Sequence, residues 1–147
     1  RVIDRSIVGR EYPPFSVEVE KRWVRGFAEA IGETDPIYLD EQAARAAGYR
    51  SLAVPPTFPF AAIMERNQSF MILDELGIDK RRTMHGEQSF VWHGDLCAGD
   101  VLNGRQRIVD LYDKKNGALE FIVCEIACSN QLGEPVCDLR TTIVVRN

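Results

Sequence analysis

The chain has 147 residues, of which 45% are hydrophobic and 27% charged, the proportions of an ordinary globular domain with one buried core. Its formal net charge of −4 at pH 7 argues against nucleic acid or an anionic membrane as the main partner, since both favour a basic surface. No segment approaches the apolar length that spans a bilayer, and the first residues lack the apolar core of a signal peptide. We therefore predict a single cytoplasmic domain over residues 1–147.

The cysteines are predicted to be reduced residues of the core. No two of them form a Cys-x-x-Cys pair, and no histidine lies at zinc-finger spacing from them. Cys124 and Cys128 are an even number of residues apart on a predicted strand, so they point to one face. The full set is Cys97, Cys124, Cys128 and Cys137. We expect no metal site and no redox cofactor.

The first part of the chain predicts a short extended segment followed by helices. Residues 12–17 are extended because two consecutive prolines exclude a helix there. Over residues 18–31 apolar side chains recur at helical spacing, and Gly32 follows where a helix commonly ends. Residues 40–47 predict a second, shorter helix that ends at Gly48.

A long apolar helix is predicted over residues 60–76, after the rigid sequence Pro-Pro-Thr-Phe-Pro at 55–59. Proline is tolerated in a first helical turn because the N–H it removes has no partner inside the helix. Gly77 ends the helical pattern. Since the helix is apolar on nearly every side, other parts of the protein must surround it.

The last part of the chain predicts strands that can surround this helix. Residues 88–93, 101–112, 118–128 and 136–145 are rich in β-branched and aromatic side chains. Asn116-Gly117 is a favourable hairpin turn between the second and third of them. The third is apolar on both faces, as expected if one face packs on the helix and the other meets a second copy. Antiparallel strands around one buried helix make an α+β hot-dog fold.

Residues 32–38, Gly-Glu-Thr-Asp-Pro-Ile-Tyr, resemble the signature of the MaoC-like family of R-specific hydratases. That signature reads Gly-Asp-x-Asn-Pro-Leu/Ile-His, then five residues, then Ala or Ser. The glycine, the proline, the isoleucine and Ala44 match it in register. The resemblance continues through residues 52–58, where the family has Ala-Pro-Gly at the start of the central helix, and through Ala-Gly-Asp-Val at 98–101. It covers most of the chain in the right order.

Two departures from the signature affect the acid–base chemistry of the family. Members that catalyse use the aspartate and the histidine to move protons during hydration of a 2-enoyl thioester, which needs groups that titrate near neutral pH. At these positions the chain has Glu33 and Tyr38. A tyrosine, with an ordinary pKa of about 10, is a poor substitute for histidine as a proton carrier.

A third departure affects the group that binds the thioester carbonyl. In the family a glycine at the start of the central helix offers its N–H to this oxygen. The chain has Pro56 there, which has no N–H. Loss of one such donor costs about 3–4 kcal/mol of transition-state stabilisation. The resemblance therefore implies a chain that binds the substrate and lacks the acid–base pair.

Chains of this kind are similar to the substrate-holding subunits of heteromeric (3R)-hydroxyacyl dehydratases and to the N-terminal halves of double-hot-dog hydratases. The resemblance implies a subunit that holds a 2-enoyl or 3-hydroxyacyl thioester of coenzyme A or acyl carrier protein. Such a chain forms a homodimer, or a heterodimer with a catalytic MaoC-like subunit. Three alternatives stay open: a stand-alone hydratase that uses Glu33 with Tyr38 or His85, a hot-dog thioesterase, and a non-enzymatic scaffold that binds acyl thioesters.

Further candidates come from the rest of the chain. His85 and Glu87 follow the central helix and are a possible base and its orienting group at a dimer cleft, although a histidine at a strand start is more often structural. The basic run at residues 80–82 is suited to a phosphate or an acidic carrier protein, or is a solvated loop. The residues expected to bind the thioester are Pro56, Thr57, Phe58, Gly86 and Arg50.

Overall fold

The computed structural model describes residues 2–147 and contains one antiparallel sheet of five strands. The order of the strands across the sheet is β1-β3-β4-β5-β2. Their bounds are Phe15–Glu18 (β1), Thr83–Trp92 (β2), Val101–Lys114 (β3), Leu119–Ser129 (β4) and Pro135–Arg146 (β5). The α-helices are Lys21–Ala30 (α1), Glu41–Ala46 (α2), Phe58–Glu65 (α3) and Gln68–Leu76 (α4).

The core lies between the sheet and the two central helices, α3 and α4. Phe58 and Ile63 of α3 are buried in one apolar cluster with Leu139 and other strand residues. Ile72 and Leu73 of α4 belong to a second cluster, with residues of β3, β4 and β5. A sheet that packs around central helices is the predicted hot-dog fold.

The central helix is interrupted, whereas the sequence predicts one continuous helix over residues 60–76. Asn67 has a left-handed backbone (φ 55°), so α3 ends at Glu65 and α4 begins at Gln68. Neighbouring groups bind the polar residues at this break: Gln106 Nε2 donates to the carbonyl oxygen of Gln68 at 2.6 Å. The prediction of continuity was wrong because a left-handed residue ends the helical hydrogen-bond ladder. The predicted end at Gly77 is confirmed, with φ 66°.

The strand β2 lies at an end of the sheet and begins at Thr83 rather than at residue 88. It pairs with β5 on one side, and within residues 2–147 no strand pairs with its other side. The pairing shifts between His85 and Glu87, which is a β-bulge. A Cβ atom on Gly86 would lie 2.7 Å from Cγ2 of Val144, so only glycine fits at this bulge.

The face of the sheet that points away from the helices carries Phe121, Val123 and Ala127, since their neighbours in β4 belong to the core. Phe121 stacks on Tyr112 with ring centroids 4.7 Å apart. The contact of this face with a second copy stays a prediction. The cysteines are free and buried, as the sequence predicts. Over residues 2–147, no helix combines the length and the apolar character needed to cross a membrane.

Candidate functional site

The loop after α1 carries the signature residues, and its first turn is built around Gly32. This residue has a left-handed backbone (φ 75°). Its N–H donates to the carbonyl oxygen of Glu29 at 3.1 Å, and the N–H of Glu33 donates to that of Ala28 at 2.9 Å. These two bonds form a Schellman motif, which ends the helix and fixes the direction of the chain after it.

The Glu33 side chain folds back on this loop. Its Oε1 atom accepts hydrogen bonds from the N–H groups of Thr34 at 3.1 Å and Asp35 at 3.4 Å. The residue is half-buried. One carboxylate oxygen at the position of the family's catalytic aspartate is therefore used to stabilise the loop.

Tyr38 ends a short 3-10 helix, Pro36–Tyr38, in the same loop. Asp35 caps this helix, because its Oδ1 atom accepts from the N–H of Ile37 at 3.1 Å. The carbonyl oxygen of Ile37 in turn accepts from the N–H of Ala53 at 3.0 Å. These bonds hold Tyr38 against the segment that leads into α3.

Tyr38 lines a cleft of about 300 Å³ beside the start of α3. Pro56 lines it as well, and Trp92 at the end of β2 donates from its indole N–H to the carbonyl oxygen of Pro56 at 3.2 Å. Tyr38 and Pro56, two of the three positions at which the chain departs from the signature, thus line one cleft. This cleft lies at the end of β2, whose second side pairs with no strand within residues 2–147. We call it the Tyr38–Trp92 cleft; its lining residues are Tyr38, Tyr49, Ala53, Val54, Pro56, Trp92, Gly94, Asp95 and Leu96.

The ionisation of Tyr38 bears on its chemistry. Burial raises the pKa of Tyr38 above its usual value, and the nearby charges of Glu33 and Asp35 raise it further. At neutral pH the phenol therefore keeps its proton and can donate a hydrogen bond. It does not act as a base there.

The residues that follow Pro56 have different surroundings. Thr57 precedes α3 as its exposed N-cap residue, and its side chain makes no capping bond. Phe58, predicted to bind the thioester, is fully buried and packs edge-on against Trp23 and Phe27, with ring centroids 4.9 Å and 5.4 Å away. The structure therefore assigns Phe58 to the core beneath the cleft and not to its lining.

Arg50 lies beside the cleft but faces a different part of the surface. Its Nη2 atom is 2.5 Å from Oδ2 of Asp100, whose side chain is buried. Asp100 also accepts from the N–H of Cys97 and from Nε2 of Gln131. The open cleft of about 640 Å³ that Arg50 lines contains both acidic and basic side chains, among them Glu41 with its partners Lys21 and Arg45. The guanidinium of Arg50 is engaged by Asp100 of its own chain, and its contact with a thioester stays a prediction.

His85 and Gly86 lie toward the start of β2, whereas Trp92 ends it. At the rise of a strand, His85 and Trp92 are roughly 20 Å apart, so His85 belongs to a different place from the cleft of its own chain. Its ring stacks on Phe60, and its Nε2 atom lies 3.0 Å from Oε1 of Gln88. The predicted pair of His85 with Glu87 is not formed, because Gln88 takes that place.

The basic run at residues 80–82 is also distant from the cleft, because it precedes β2. Lys80 pairs with Asp74 at 3.3 Å, and Arg81 pairs with Asp79 at 2.7 Å. Arg82 donates to the carbonyl oxygen of Arg146 at 2.9 Å. All three cations are engaged by their own chain, which favours the solvated-loop interpretation.

Among the lining residues that the sequence did not indicate, Tyr49, Trp92 and Asp95 carry aromatic or polar side chains. They come from separate segments, so no spacing connects them. The sequence offered one indication for Tyr49, because it directly follows Gly48. This glycine is left-handed (φ 99°) and ends α2 in the same way as Gly32 ends α1. The residue after each of these glycines lies at or beside the cleft.

Another open cleft, of about 470 Å³, lies on the outer face of the sheet. Its charged side chains are paired with one another: Glu125 binds Arg107 and Arg140, and Arg105 binds Glu11. We favour the smaller Tyr38–Trp92 cleft as the functional site because its polar side chains, the Tyr38 hydroxyl among them, are not engaged in ion pairs with one another.

The comparison with protein families assigns the chain. Residues 6–139 match the family described as FAS1-like, dehydratase domain region. The chain belongs to this MaoC-like family. The chain is also 37% identical over 145 residues to a UPF0336 protein of Saccharopolyspora erythraea, covering 98% of this chain and 92% of that protein. A UPF0336 protein of Thermobifida fusca is again 37% identical over 145 residues, with 98% and 94% covered.

Solved structures place this chain among hot-dog proteins and confirm the predicted fold. It resembles the C-terminally truncated HadBC complex of Mycobacterium tuberculosis, a (3R)-hydroxyacyl-ACP dehydratase, with a TM-score of 0.79, 28% identity and coverage of 94% and 96% of the two chains. A MaoC-like dehydratase gives a TM-score of 0.85 at 25% identity. There the match covers 97% of this chain but 43% of the other, so this chain spans less than half of that protein.

Proposed function

We propose that this chain is the acyl-thioester-binding subunit of a heteromeric MaoC-like hydratase/dehydratase. It holds a 2-enoyl or 3-hydroxyacyl thioester of coenzyme A or acyl carrier protein, and a partner hot-dog subunit supplies the acid–base pair. The observation that carries the proposal is the Tyr38–Trp92 cleft. There a protonated tyrosine and a proline occupy the positions at which the family signature has a histidine and an amide donor.

The chemistry of the cleft supports binding without proton transfer. The Tyr38 hydroxyl can donate a hydrogen bond to a thioester carbonyl, and the aromatic walls at Tyr49 and Trp92 suit the apolar part of the ligand. Glu33 is held by its own loop. The side chains at the signature positions thus offer contacts to a ligand, but no base paired with an acid.

The free side of β2 supports pairing with a second hot-dog subunit. An exposed strand edge is a template for another strand, and the cleft lies at the end of this one. The related HadBC dehydratase is a complex. The related MaoC-like dehydratase chain has more than twice the length that this chain matches. In our proposal a separate subunit takes the place of the unmatched part.

The first experiment uses the chain alone. Purified protein is mixed with crotonyl-CoA, and the loss of enoyl absorbance and the release of free thiol are followed in parallel. We expect neither reaction, but we expect binding. In a Trp23→Phe background, Trp92 in the cleft reports binding through its fluorescence. Hydration by the lone chain would support the stand-alone hydratase, and thiol release would support the thioesterase.

The second experiment adds the partner. The chain is co-expressed with each MaoC-like subunit of its own genome that retains the aspartate and histidine of the signature, and purified complexes are assayed with crotonyl-CoA. We expect one such pair to hydrate the substrate faster than either subunit alone. If no pair gains activity over the catalytic subunit alone, the heteromeric proposal is wrong and the scaffold alternative gains support.

A further inference from the structure

We propose that His85 of this chain binds the thioester in the reaction centre of the partner subunit, across the contact between the two β2 strands. This inference rests on the proposed function, because it needs the pairing of β2 with a second hot-dog subunit. It assigns to His85 the role of a hydrogen-bond acceptor for an O–H or N–H group of the bound thioester.

The first observation is the position of the imidazole ring. Its centroid is 4.8 Å from that of Phe60 in α3, and the two planes are 24° apart. The ring therefore lies between the central helix and the free strand. The residue is exposed in the single chain, so the ring stays accessible until a second subunit covers it. The bulge between His85 and Glu87 also allows the side chain at this point to depart from regular strand geometry.

The second observation is a chain of hydrogen bonds that fixes the tautomer. Oε1 of Gln88 lies 3.0 Å from Nε2 of His85 and accepts from Oγ1 of Thr141 at 2.7 Å. The amide of Gln88 is oriented by its own Nε2 atom, which donates to the carbonyl oxygen of Ser89 at 3.3 Å. Because a carbonyl oxygen only accepts, an imidazole bonded in this way carries its proton on Nε2 when it is in the neutral form.

With the proton on Nε2, the Nδ1 atom of His85 has a free lone pair. Within residues 2–147 this atom makes no hydrogen bond. Thr141 is buried, so the Nε2 side of the imidazole is anchored in the fold, while the His85 side chain as a whole is exposed. An imidazole whose tautomer is fixed by a neighbour is prepared to accept one hydrogen bond from a ligand.

The third observation concerns the direction of β2. In this chain the end of β2 contacts the start of the central helix, through the bond from Trp92 to Pro56. In an antiparallel contact between two β2 strands, the start of one lies beside the end of the other. His85 is therefore carried toward the start of the partner's central helix and away from its own cleft, which is roughly 20 Å along the strand.

The test uses the active complex with the catalytic subunit and compares two histidine variants. His85→Phe keeps a ring that can stack on Phe60 and removes the acceptor. His93→Phe is the matched control, since His93 is also exposed on this strand end but pairs with Asp138. We expect His85→Phe to raise KM about threefold to tenfold with little change in kcat, as for loss of one hydrogen bond made equally in the ground and transition states. His93→Phe should match the wild type.

Two variants at Gln88 test the tautomer. Gln88→Leu removes the acceptor for the Nε2–H and should raise KM in the same direction as His85→Phe. Gln88→Glu places a carboxylate beside the ring, which favours the imidazolium with a proton on Nδ1, so it should also raise KM near neutral pH and approach the wild type as the pH rises. A wild-type KM in Gln88→Leu, or a KM of Gln88→Glu that does not fall with rising pH, would contradict the tautomer argument and overturn the proposal.

The choice of substrate identifies the donor. If crotonyl-CoA and 3-hydroxybutyryl-CoA are affected alike, the donor is an amide N–H of the pantetheine arm; an effect confined to 3-hydroxybutyryl-CoA identifies the 3-hydroxyl. An active complex in which His85→Phe behaves like His93→Phe overturns this inference and leaves the proposed function intact. Failure to obtain any active complex overturns the proposed function, and this inference with it.

Discussion

The two ends of the molecule differ in whether their polar groups are buried and hydrogen-bonded or accessible. At the end near α4, Glu120 is buried and both of its carboxylate oxygens accept: Oε2 from the N–H of Ile3 at 2.7 Å, and Oε1 from Nδ2 of Asn147 at 2.6 Å. At the end near the start of α3, the Tyr38 hydroxyl and the Asp95 carboxylate line an open cleft. One end uses its polar groups to join the two termini of the chain, and the other leaves them accessible.

We therefore expect residues at the first end to determine folding stability and residues at the second end to determine ligand binding. Polar groups that are buried and fully paired fix a structure, and changes to them cost folding free energy. Polar groups in loops at an open cleft contribute little to folding and are available to a ligand. The comparison predicts that substitutions at the two ends will fall into two classes, large on stability or large on binding.

The largest effect on stability is expected for Phe58→Ala, which probes the core directly beneath the open cleft. Removing a fully buried aromatic ring leaves a cavity between Trp23 and Phe27, and this should lower the free energy of unfolding by about 3–5 kcal/mol. Urea denaturation measures the change. Thr57→Ala, at the exposed preceding residue, is the control and should stay within about 0.5 kcal/mol of the wild type because Thr57 makes no capping bond. Similar losses in the two variants would contradict the core assignment of Phe58.

A smaller loss is expected for Glu120→Gln at the closed end. The amide replaces one accepting oxygen with a donor that faces another donor, and a buried unmatched group costs about 1–3 kcal/mol. The control is Glu125→Gln on the exposed face of the same strand, where the ion pairs with Arg107 and Arg140 should contribute about 1 kcal/mol or less. Equal urea midpoints for the two variants would show that the closed end does not depend on this bond.

Tyr12→Phe is expected to keep or increase stability at neutral pH by up to about 1 kcal/mol. Tyr12 is buried, and within residues 2–147 its hydroxyl has no hydrogen-bond partner. Burial, assisted by the charge of Glu75, raises the pKa of Tyr12 to about 12 from its ordinary value of 10.0.

At alkaline pH, the stability of the wild type should fall relative to that of Tyr12→Phe. Below pH 10 neither the folded nor the unfolded tyrosine is ionised, so the wild type keeps its full stability. As the pH rises from 10 toward 12 the unfolded state ionises first, and the wild type loses stability relative to Tyr12→Phe. Urea midpoints of both proteins at a series of pH values check this. Parallel curves would mean that Tyr12 is accessible to water.

The smallest change in stability is expected for Tyr38→Phe, in the open cleft. Its free energy of unfolding should stay within about 0.5 kcal/mol of the wild type, because Tyr38 is half-buried in a loop and lines an open cleft. Binding of crotonyl-CoA should weaken by about twofold to tenfold, since one hydrogen bond to the ligand is lost. Tyr112→Phe on the outer face of the sheet is the control for binding. Unchanged affinity in Tyr38→Phe would remove Tyr38 from the site.

The sequence predicted the regular parts of the fold where periodicity and turn residues agree. β3, β4 and β5 start within one residue of the predicted strands, and the helix ends at Gly32, Gly48 and Gly77 are confirmed. The break at Asn67 was not predicted, because the apolar pattern runs on through it; in the structure Gln106 of β3 donates to the carbonyl oxygen of Gln68 beside the break. The start of β2 was missed since its first residues are exposed on both faces and include Gly86 at a bulge.

The site was predicted less completely than the fold. Of the signature residues, Tyr38 and Pro56 line the Tyr38–Trp92 cleft, and Glu33 lies in the same loop outside its lining. Tyr49, Trp92 and Asp95 join them only through the tertiary fold. Phe58 was placed in the site because it lies two residues after Pro56 in the sequence. In the structure the first turn of α3 directs its ring into the core instead.

The left-handed glycine after α1 has a consequence for substitutions in the loop that follows it. Two backbone hydrogen bonds fix the turn at Gly32, and the Glu33 side chain adds bonds only to the residues after the turn. The path of the chain at the turn therefore does not require a particular side chain at position 33 or 38. A substitution at either position can change the chemistry of the loop while the turn keeps its geometry.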